Sequence, residues 1–476
     1  MVVSGRLALL ALLATVVVGV TAPSSAGVLL ATGVLLVLAV SDAALAGAVR
    51  PLGFARGGDT TVRLGEQATL TLTVQNDGRR RVRGVLRDAW PPSAGVATDR
   101  FEVDVPPGER RTLSVRLRPT RRGDRTAERV VVRSMGPLGL AGRQGAHQVD
   151  WSVRVLPPFH ARRHLPSRLS RLRDLDGRSA VLIRGAGTEF DSLREYVVGD
   201  DTRSIDWRAT ARRGDVVVRT WRPERDRHIL IVLDTGRTSA GRVGGLADHS
   251  QPSAGNAVDT AGSVAHAAGS VAPAAGSVAH SPGSVASPVH APRIDAAMDA
   301  ALLLGALAAR AGDRVDLLAY DRRVRASVER PTATEVLPRM VNALATVEPE
   351  LLETDYRGLA AEVRSRAGQH AFVTIITSID SGTVEHGLLP VVAALTGRHT
   401  VLVASVADPR IEEMARARGD AATVYAAAAA EHDRRGRDEV TELLQRRGAH
   451  VVDATPDDLP PAVADAYLDL KAAGRL

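Results

Sequence analysis

Between Glu189 and Trp207 the chain concentrates side chains able to carry chemistry. Glu189, Asp191, Glu195, Asp200, Asp201 and Asp206 alternate with Arg194 and Arg203, and Arg208, Arg212 and Arg213 follow at once. Paired carboxylates do general acid and base work when a histidine, cysteine or lysine stands with them as partner or nucleophile. No such residue lies within this stretch. Alternating acids and arginines instead make charge-assisted hydrogen bonds, each guanidinium fork gripping both oxygens of a carboxylate. Phe190, Tyr196 and Trp207 add rings that anchor such a connection against an apolar surface. The expectation is a fixed polar surface without a catalytic residue. It either clamps the connection to the next domain or docks a partner through Glu189, Arg194, Tyr196, Asp200, Asp201, Arg203, Asp206 and Trp207.

The elements around this stretch must position it. At 476 residues the chain has room for two or three domains, each with its own core. Formal net charge is +7 and the sequence pI about 10.4, yet the basic residues are spread along the chain and aromatics are scarce. A nucleic-acid surface is not indicated. Lys471 is the only lysine, so arginine carries the positive charge. The absence of cysteine excludes disulfides, thiolate zinc sites and cysteine nucleophiles.

Leu7 to Thr21 and Gly27 to Val40 are apolar runs separated by an uncharged turn that contains Pro23. A span needs about 20 residues, so each run must recruit small flanking residues such as Ala26 or Ser41. Residues 1–50 predict a transmembrane helical hairpin in the cell membrane. The competing reading, a cleaved signal peptide, fits Arg6 and Ser24-Ser25-Ala26 but leaves the second run unused. Arg6 precedes the hairpin and Arg50 and Arg56 follow it, which places both ends, and the large domains, in the cytoplasm.

Residues 59–157 alternate with period two, as in Ala68 to Asn76, Arg81 to Trp90, Arg110 to Thr120, Arg129 to Met135 and Val149 to Pro157. This predicts an antiparallel β-sandwich of immunoglobulin-like type. Its outward arginines form a solvated face, with contact to anionic headgroups as the alternative. Pro158 to Leu182 reads as a linker within 158–227. From 228 to 476 buried strands alternate with helices, as in Ile294 to Gly312, Arg314 to Tyr320, Ala371 to Ile379 and His399 to Pro409. That is the pattern of a doubly wound, Rossmann-like parallel sheet, whose ligands sit at the carboxyl ends of the strands. An insert at 241–293 interrupts it. There GSVA recurs at Gly262, Gly269, Gly276 and Gly283, and such glycine, serine and proline content predicts a disordered loop and not a coiled coil. His249, His266, His280 and His290 within it read as spacers.

The string EFDSLREYVVGDDTRSIDW (Glu189 to Trp207), with PERDR (Pro223 to Arg227) and the strand His228 to Leu233 ending at Asp234, resembles the signature of the domain of unknown function 58 (DUF 58) family. The resemblance implies a membrane-anchored protein with a von Willebrand factor type A (vWA)-like domain, associated with MoxR-type AAA+ ATPases. It implies no defined reaction. A vWA-like domain further implies a metal-ion-dependent adhesion site for Mg²⁺ built from hard oxygen donors. The matching positions here are Asp234 and Thr238 in Asp234-Thr235-Gly236-Arg237-Thr238, Thr354 in the ETDYRG loop, and Asp380 standing two residues beyond Ser378. Gly236 removes one hydroxyl, and Arg237 brings a cation to the motif. The competing role for Asp234 is to cap a helix or to join the signature's arginines.

Two functions follow. One is a non-enzymatic membrane adaptor or assembly factor that docks a MoxR-type ATPase or its client. The other is a metal-dependent ligand-binding module. A hydrolase lacks its usual marks, having neither a nucleophile elbow, a phosphate-cradling loop with lysine, nor an HExxH helix.

Overall fold

The structure, a computed structural model, describes residues 1–21, 23–182, 189–198, 200–222, 227–244, 291–380, 382 and 384–476. The GSVA repeats, the four histidines of the insert and Pro223 to Asp226 lie outside the described residues.

The chain is a mixed helix and sheet protein. A short strand β1 (Val2–Val3) precedes two apolar helices, α1 (Gly5–Thr21) and α2 (Ser25–Leu45). Ser24 starts α2 by accepting the Gly27 amide at 3.2 Å. With 21 residues and mean hydropathy 2.3, α2 is long and apolar enough to cross a membrane. The 17-residue α1 is shorter. Leu7 in its first turn packs against Ala39 and Ala43 near the end of α2, so the helices run antiparallel.

Ten strands follow in a sandwich: β2 (Leu52–Gly58), β3 (Thr61–Arg63), β4 (Ala68–Asn76), β5 (Val82–Ala89), β6 (Arg100–Val105), β7 (Arg110–Leu117), β8 (Gly123–Thr126), β9 (Arg129–Met135), β10 (Ala141–His147) and β11 (Ser152–Leu156). Period-two alternation sorts their side chains. Ala68, Leu70, Leu72 and Val74 of β4 point into the core while Thr69 and Thr71 face out. The strands form sheets ordered β1-β10-β9-β5-β6, β2-β4-β7 and β3-β11-β8. The N-terminal strand therefore closes onto β10, with Val2 opposite Gly142 and Val3 opposite Ala141. Inside, Arg56 grips Asp88 at 2.6 Å and the Trp90 indole donates to the same carboxylate at 2.9 Å.

The expected linker corrects to a helix, α3 (Leu165–Leu182). Its Leu165, Leu169, Leu172 and Leu175 recur on one helical face and pack against the core of the C-terminal region. The signature corrects from a covering connection to a strand, helix and strand: β12 (Glu189–Glu195), α4 (Trp207–Arg213) and β13 (Val217–Arg222).

The C-terminal region alternates β14 (His228–Asp234), β15 (Arg242–Val243), β16 (Ala291–Pro292), α5 (Arg293–Arg310), β17 (Arg314–Tyr320), β18 (Val324–Val328), α6 (Val336–Ala345), α7 (Tyr356–Arg366), β19 (Phe372–Ile376), α8 (Leu389–Thr396), β20 (Thr400–Val406), α9 (Pro409–Arg416), α10 (Ala421–Arg446), β21 (His450–Ala454) and α11 (Leu459–Ala472). Its six-stranded sheet has the order β18-β17-β14-β19-β20-β21 and is parallel except for the edge strand β18. Cores lie on both faces of it, which explains the unbroken apolar run Ile229 to Leu233. The pairing of β15 with β16 brings the two ends of the insert together. Arg122 joins the sandwich to this region, reaching Asp295 at 2.5 Å and the Leu344 carbonyl at 3.3 Å, both side chains being buried.

Candidate functional site

The signature folds on itself. Strands β12 and β13 pair antiparallel, with Glu189 opposite Arg222 at one end and Glu195 opposite Val217 at the other. Beyond that second end the carboxylates are used one by one. Asp200 takes both prongs of Arg194 at 2.6 and 2.8 Å and the Val197 amide at 2.9 Å. Asp201 accepts the Arg203 amide at 2.9 Å. Asp206 caps α4 through the Arg208 and Ala209 amides, each at 3.0 Å, and pairs with Arg219 Nε at 2.8 Å. The Arg194 guanidinium and then the Val197 amide hold Asp200 below the usual carboxylate range. The Ala209 amide and then Arg219 do the same for Asp206.

The structure thus gathers Arg194, Tyr196, Asp200, Asp201, Arg203, Asp206 and Trp207 at one end of a small unit. Glu189 begins β12 at the other end, about 20 Å away for a seven-residue strand. Trp207 does not anchor the unit, being 68% exposed, while Tyr196 is half-buried. The sequence reading missed Arg219 and Val198. Val198, 93% exposed, sits beside exposed Val197. Two adjacent valines leading into Gly-Asp-Asp break the polar character of a turn, and that was the available signal.

At the carboxyl end of the parallel sheet, Asp234 closes the central strand β14 and is buried. One carboxylate oxygen accepts the Gly236 amide at 2.9 Å and Thr354 Oγ1 at 2.5 Å. The other accepts Thr377 Oγ1 at 2.5 Å and the Tyr356 hydroxyl at 3.3 Å. Burial, and next the Asp234 charge, push the Tyr356 hydroxyl far up from its ordinary value, so it stays a donor. Gly236 is required there, since a Cβ at that position would lie 2.2 Å from Thr354 Oγ1. Ser239 Oγ donates to the Asp234 carbonyl at 2.6 Å and fixes the following turn.

Thr238 and Arg293 border both a cavity of about 20 Å³ beside Asp234 and a more open cleft of about 540 Å³ that Asp380 also lines. Asp380 accepts Ser378 Oγ at 2.8 Å and lies 3.6 Å from Arg293 and 3.3 Å from Arg437. Thr354 bonds Asp234, Thr238 shares the small cavity with Asp234, and Asp380 lines the neighbouring cleft with Thr238, but the four do not fit Mg²⁺ as arranged. Asp234 has two donors on each oxygen, and Asp380 faces two guanidinium groups. Among the described residues no group of three or more His, Asp or Glu side chains converges. Mg²⁺ demands a near-octahedral oxygen shell, and Arg293 already brings a positive charge to it.

A family model described as "Protein of unknown function DUF58" matches residues 192–281 and 277–431. An uncharacterised protein of Bacillus subtilis (strain 168), YeaD, is 25% identical over 123 residues, which are 26% of this chain and 31% of that protein. The match thus spans about a third of the relative. Among solved structures, the CARDB domain of a Pyrococcus furiosus protein covers 23% of this chain and 94% of its own at 18% identity and TM-score 0.18. Trypsin-activated alpha-2-macroglobulin from Escherichia coli covers 33% of this chain and 9% of its own at 14% identity and TM-score 0.19. Scores this low assign no fold.

Proposed function

This chain belongs to the DUF58 family of proteins of unknown function, and from that premise we propose that it is a membrane-anchored, non-enzymatic adaptor docking a MoxR-type AAA+ ATPase or its client. One observation carries the proposal. The signature holds Asp200 on Arg194 and Asp206 on Arg219 and leaves Val198 and Trp207 projecting into solvent. An exposed tryptophan on a prearranged frame is what a protein-binding hot spot uses, because little side-chain freedom remains to be lost on binding. We read the six-stranded sheet as the vWA-like domain. Its mostly parallel order with an antiparallel edge supports that reading, and its carboxyl-end cleft is the second face open to the client.

The anchor is α1 and α2 together, a two-helix hairpin with both ends on the cytoplasmic side. Supporting this, Ser4 Oγ donates to the Gly139 carbonyl at 2.6 Å and Val2–Val3 extends the sandwich sheet, so the chain before α1 and the chain after α2 meet on the same body. Signal cleavage after α1 would remove a strand from that sheet. Mass spectrometry of the mature protein is expected to find Val2–Val3 retained.

A photo-crosslinking amino acid at position 198 tests the docking surface. An adduct to an AAA+ ATPase in native membranes is the expected outcome. Adducts only within this chain, or none, would contradict it. No observation favours the Mg²⁺-dependent reading.

A further inference from the structure

Where α2 ends, the sandwich seizes it. Asp42 is fully buried and accepts the amides of Leu138 at 2.8 Å, Leu140 at 2.7 Å and Ala141 at 2.9 Å. The β9-to-β10 turn is thereby held against the last turns of the helix. A Cβ on Gly136 would lie 2.2 Å from the Asp42 carbonyl oxygen, so the approach needs glycine. Arg143 donates to the Ala43 carbonyl at 3.0 Å and to Ala44 at 3.3 Å, and Arg80 also donates to Ala44. These side chains close the carboxyl end of α2. The Arg6 guanidinium, just inside α1, lies beside Gly139 of the same turn.

Three exposed arginines, Arg6, Arg80 and Arg143, thus ring the point where the two apolar helices leave the sandwich. No ion pair joins any of them to a carboxylate among the described residues, and Asp42, buried at the end of α2, serves three amides. Between them the turn raises Leu138, 53% exposed and held by its own amide on Asp42. We propose that this face of the sandwich is itself a membrane-docking surface: Arg6, Arg80 and Arg143 bind anionic phospholipid headgroups while Leu138 enters the interfacial layer.

The inference rests on the reading that α1 and α2 lie in the bilayer. Given that, the geometry leaves little choice. Side chains bonded to the last carbonyls of a spanning helix sit at headgroup depth, and arginines without carboxylate partners there complement lipid phosphates. Each basic side chain near an anionic surface contributes about a five-fold gain in binding. The result is an anchor without a free linker, which holds the sandwich against the membrane at a set angle.

The chain contains no cysteine, so single-cysteine labelling needs no background substitutions. Full-length protein would carry an environment-sensitive fluorophore at Leu36→Cys, in the middle of α2, at Leu138→Cys, or at Val424→Cys as a distant control. Each is reconstituted in phosphatidylcholine alone or mixed with phosphatidylglycerol, and quenched by lipids spin-labelled at shallow or deep positions. The expected result is deep quenching at 36, shallow quenching at 138 that strengthens in the anionic mixture, and none at 424. Reversing Arg6→Glu, which caps no helix, should lower the anionic-dependent quenching at 138 several-fold and leave 36 unchanged. Quenching at 36 without quenching at 138 would overturn the proposal, as would equal quenching at 138 in both lipids. An unquenched label at 36 would instead overturn the membrane reading beneath it.

Discussion

Asp299 shows how a single residue makes this protein sensitive to pH. It sits on the buried face of α5, only 7% exposed, and its oxygens accept the Ala161 amide at 3.0 and 3.2 Å. Burial pushes its carboxyl up to about 7, against the weaker opposite effect of the Ala161 amide. The folded state therefore binds a proton that the unfolded state has released. Its stabilising contribution is complete below the ordinary carboxylate pKa and is lost as pH rises through about 7, on the order of 2–4 kcal/mol in all. Amide exchange in α5 of the solubilised chain should be faster at pH 8 than at pH 5 beyond the intrinsic difference. Asp299→Asn should reduce that excess, leaving the share of Asp295 and Asp313, whose carboxyls burial also pushes up. At the sheet end, Thr354→Val would leave one Asp234 oxygen short of a donor and is expected to cost about 1–3 kcal/mol, read by thermal unfolding. Titration calorimetry with MgCl₂ should give no saturable heat for the native chain, because Arg293 and Arg437 already face Asp380.

Among the elements, the long strands and the large helices were legible. Ala68 to Asn76 and Arg129 to Met135 appear with the bounds their alternation predicts, as does β17 from its apolar run. Helix α3 was not, because arginines, aspartates and an early proline interrupt a leucine stripe whose spacing is helical. Leu172→Ala should show that this stripe belongs to the core, lowering stability by about 2–5 kcal/mol, whereas a linker would tolerate it. The signature was legible as chemistry but not as shape. Asp200 pairs with Arg194 as the alternation suggests, but Asp206 pairs with Arg219 from the returning strand, and both pairs serve a hairpin's own tip. Which aromatic faces solvent depends on how that tip folds, so of the two roles open to Trp207, anchor or docking residue, its exposure removes the anchor.

At the scale of the whole molecule, the order of apolar helices, sandwich and α/β region can be read along the chain. The joints between them cannot. Val2 meets Gly142 and Val3 meets Ala141 of β10, Arg122 meets Asp295 and Asp42 meets the β9-to-β10 turn. Each is a contact between segments whose local patterns carry no trace of the other. The four metal-type positions illustrate the same limit. Their types were legible, and Asp234, Thr238 and Thr354 lie together, but Asp380 faces arginines that come from α5 and α10, far along the sequence.

The adaptor reading stands on the exposed tip of the signature. The most direct measurement is quantitative mass spectrometry of proteins co-purifying with the tagged full-length chain from gently solubilised membranes, native beside Trp207→Ala with Val198→Ser. An AAA+ ATPase recovered with the native chain and depleted at least about ten-fold with the variant, a loss of roughly 1.4 kcal/mol or more in binding, is the predicted result. Equal recovery of the ATPase by both chains, or its absence from both, would contradict it.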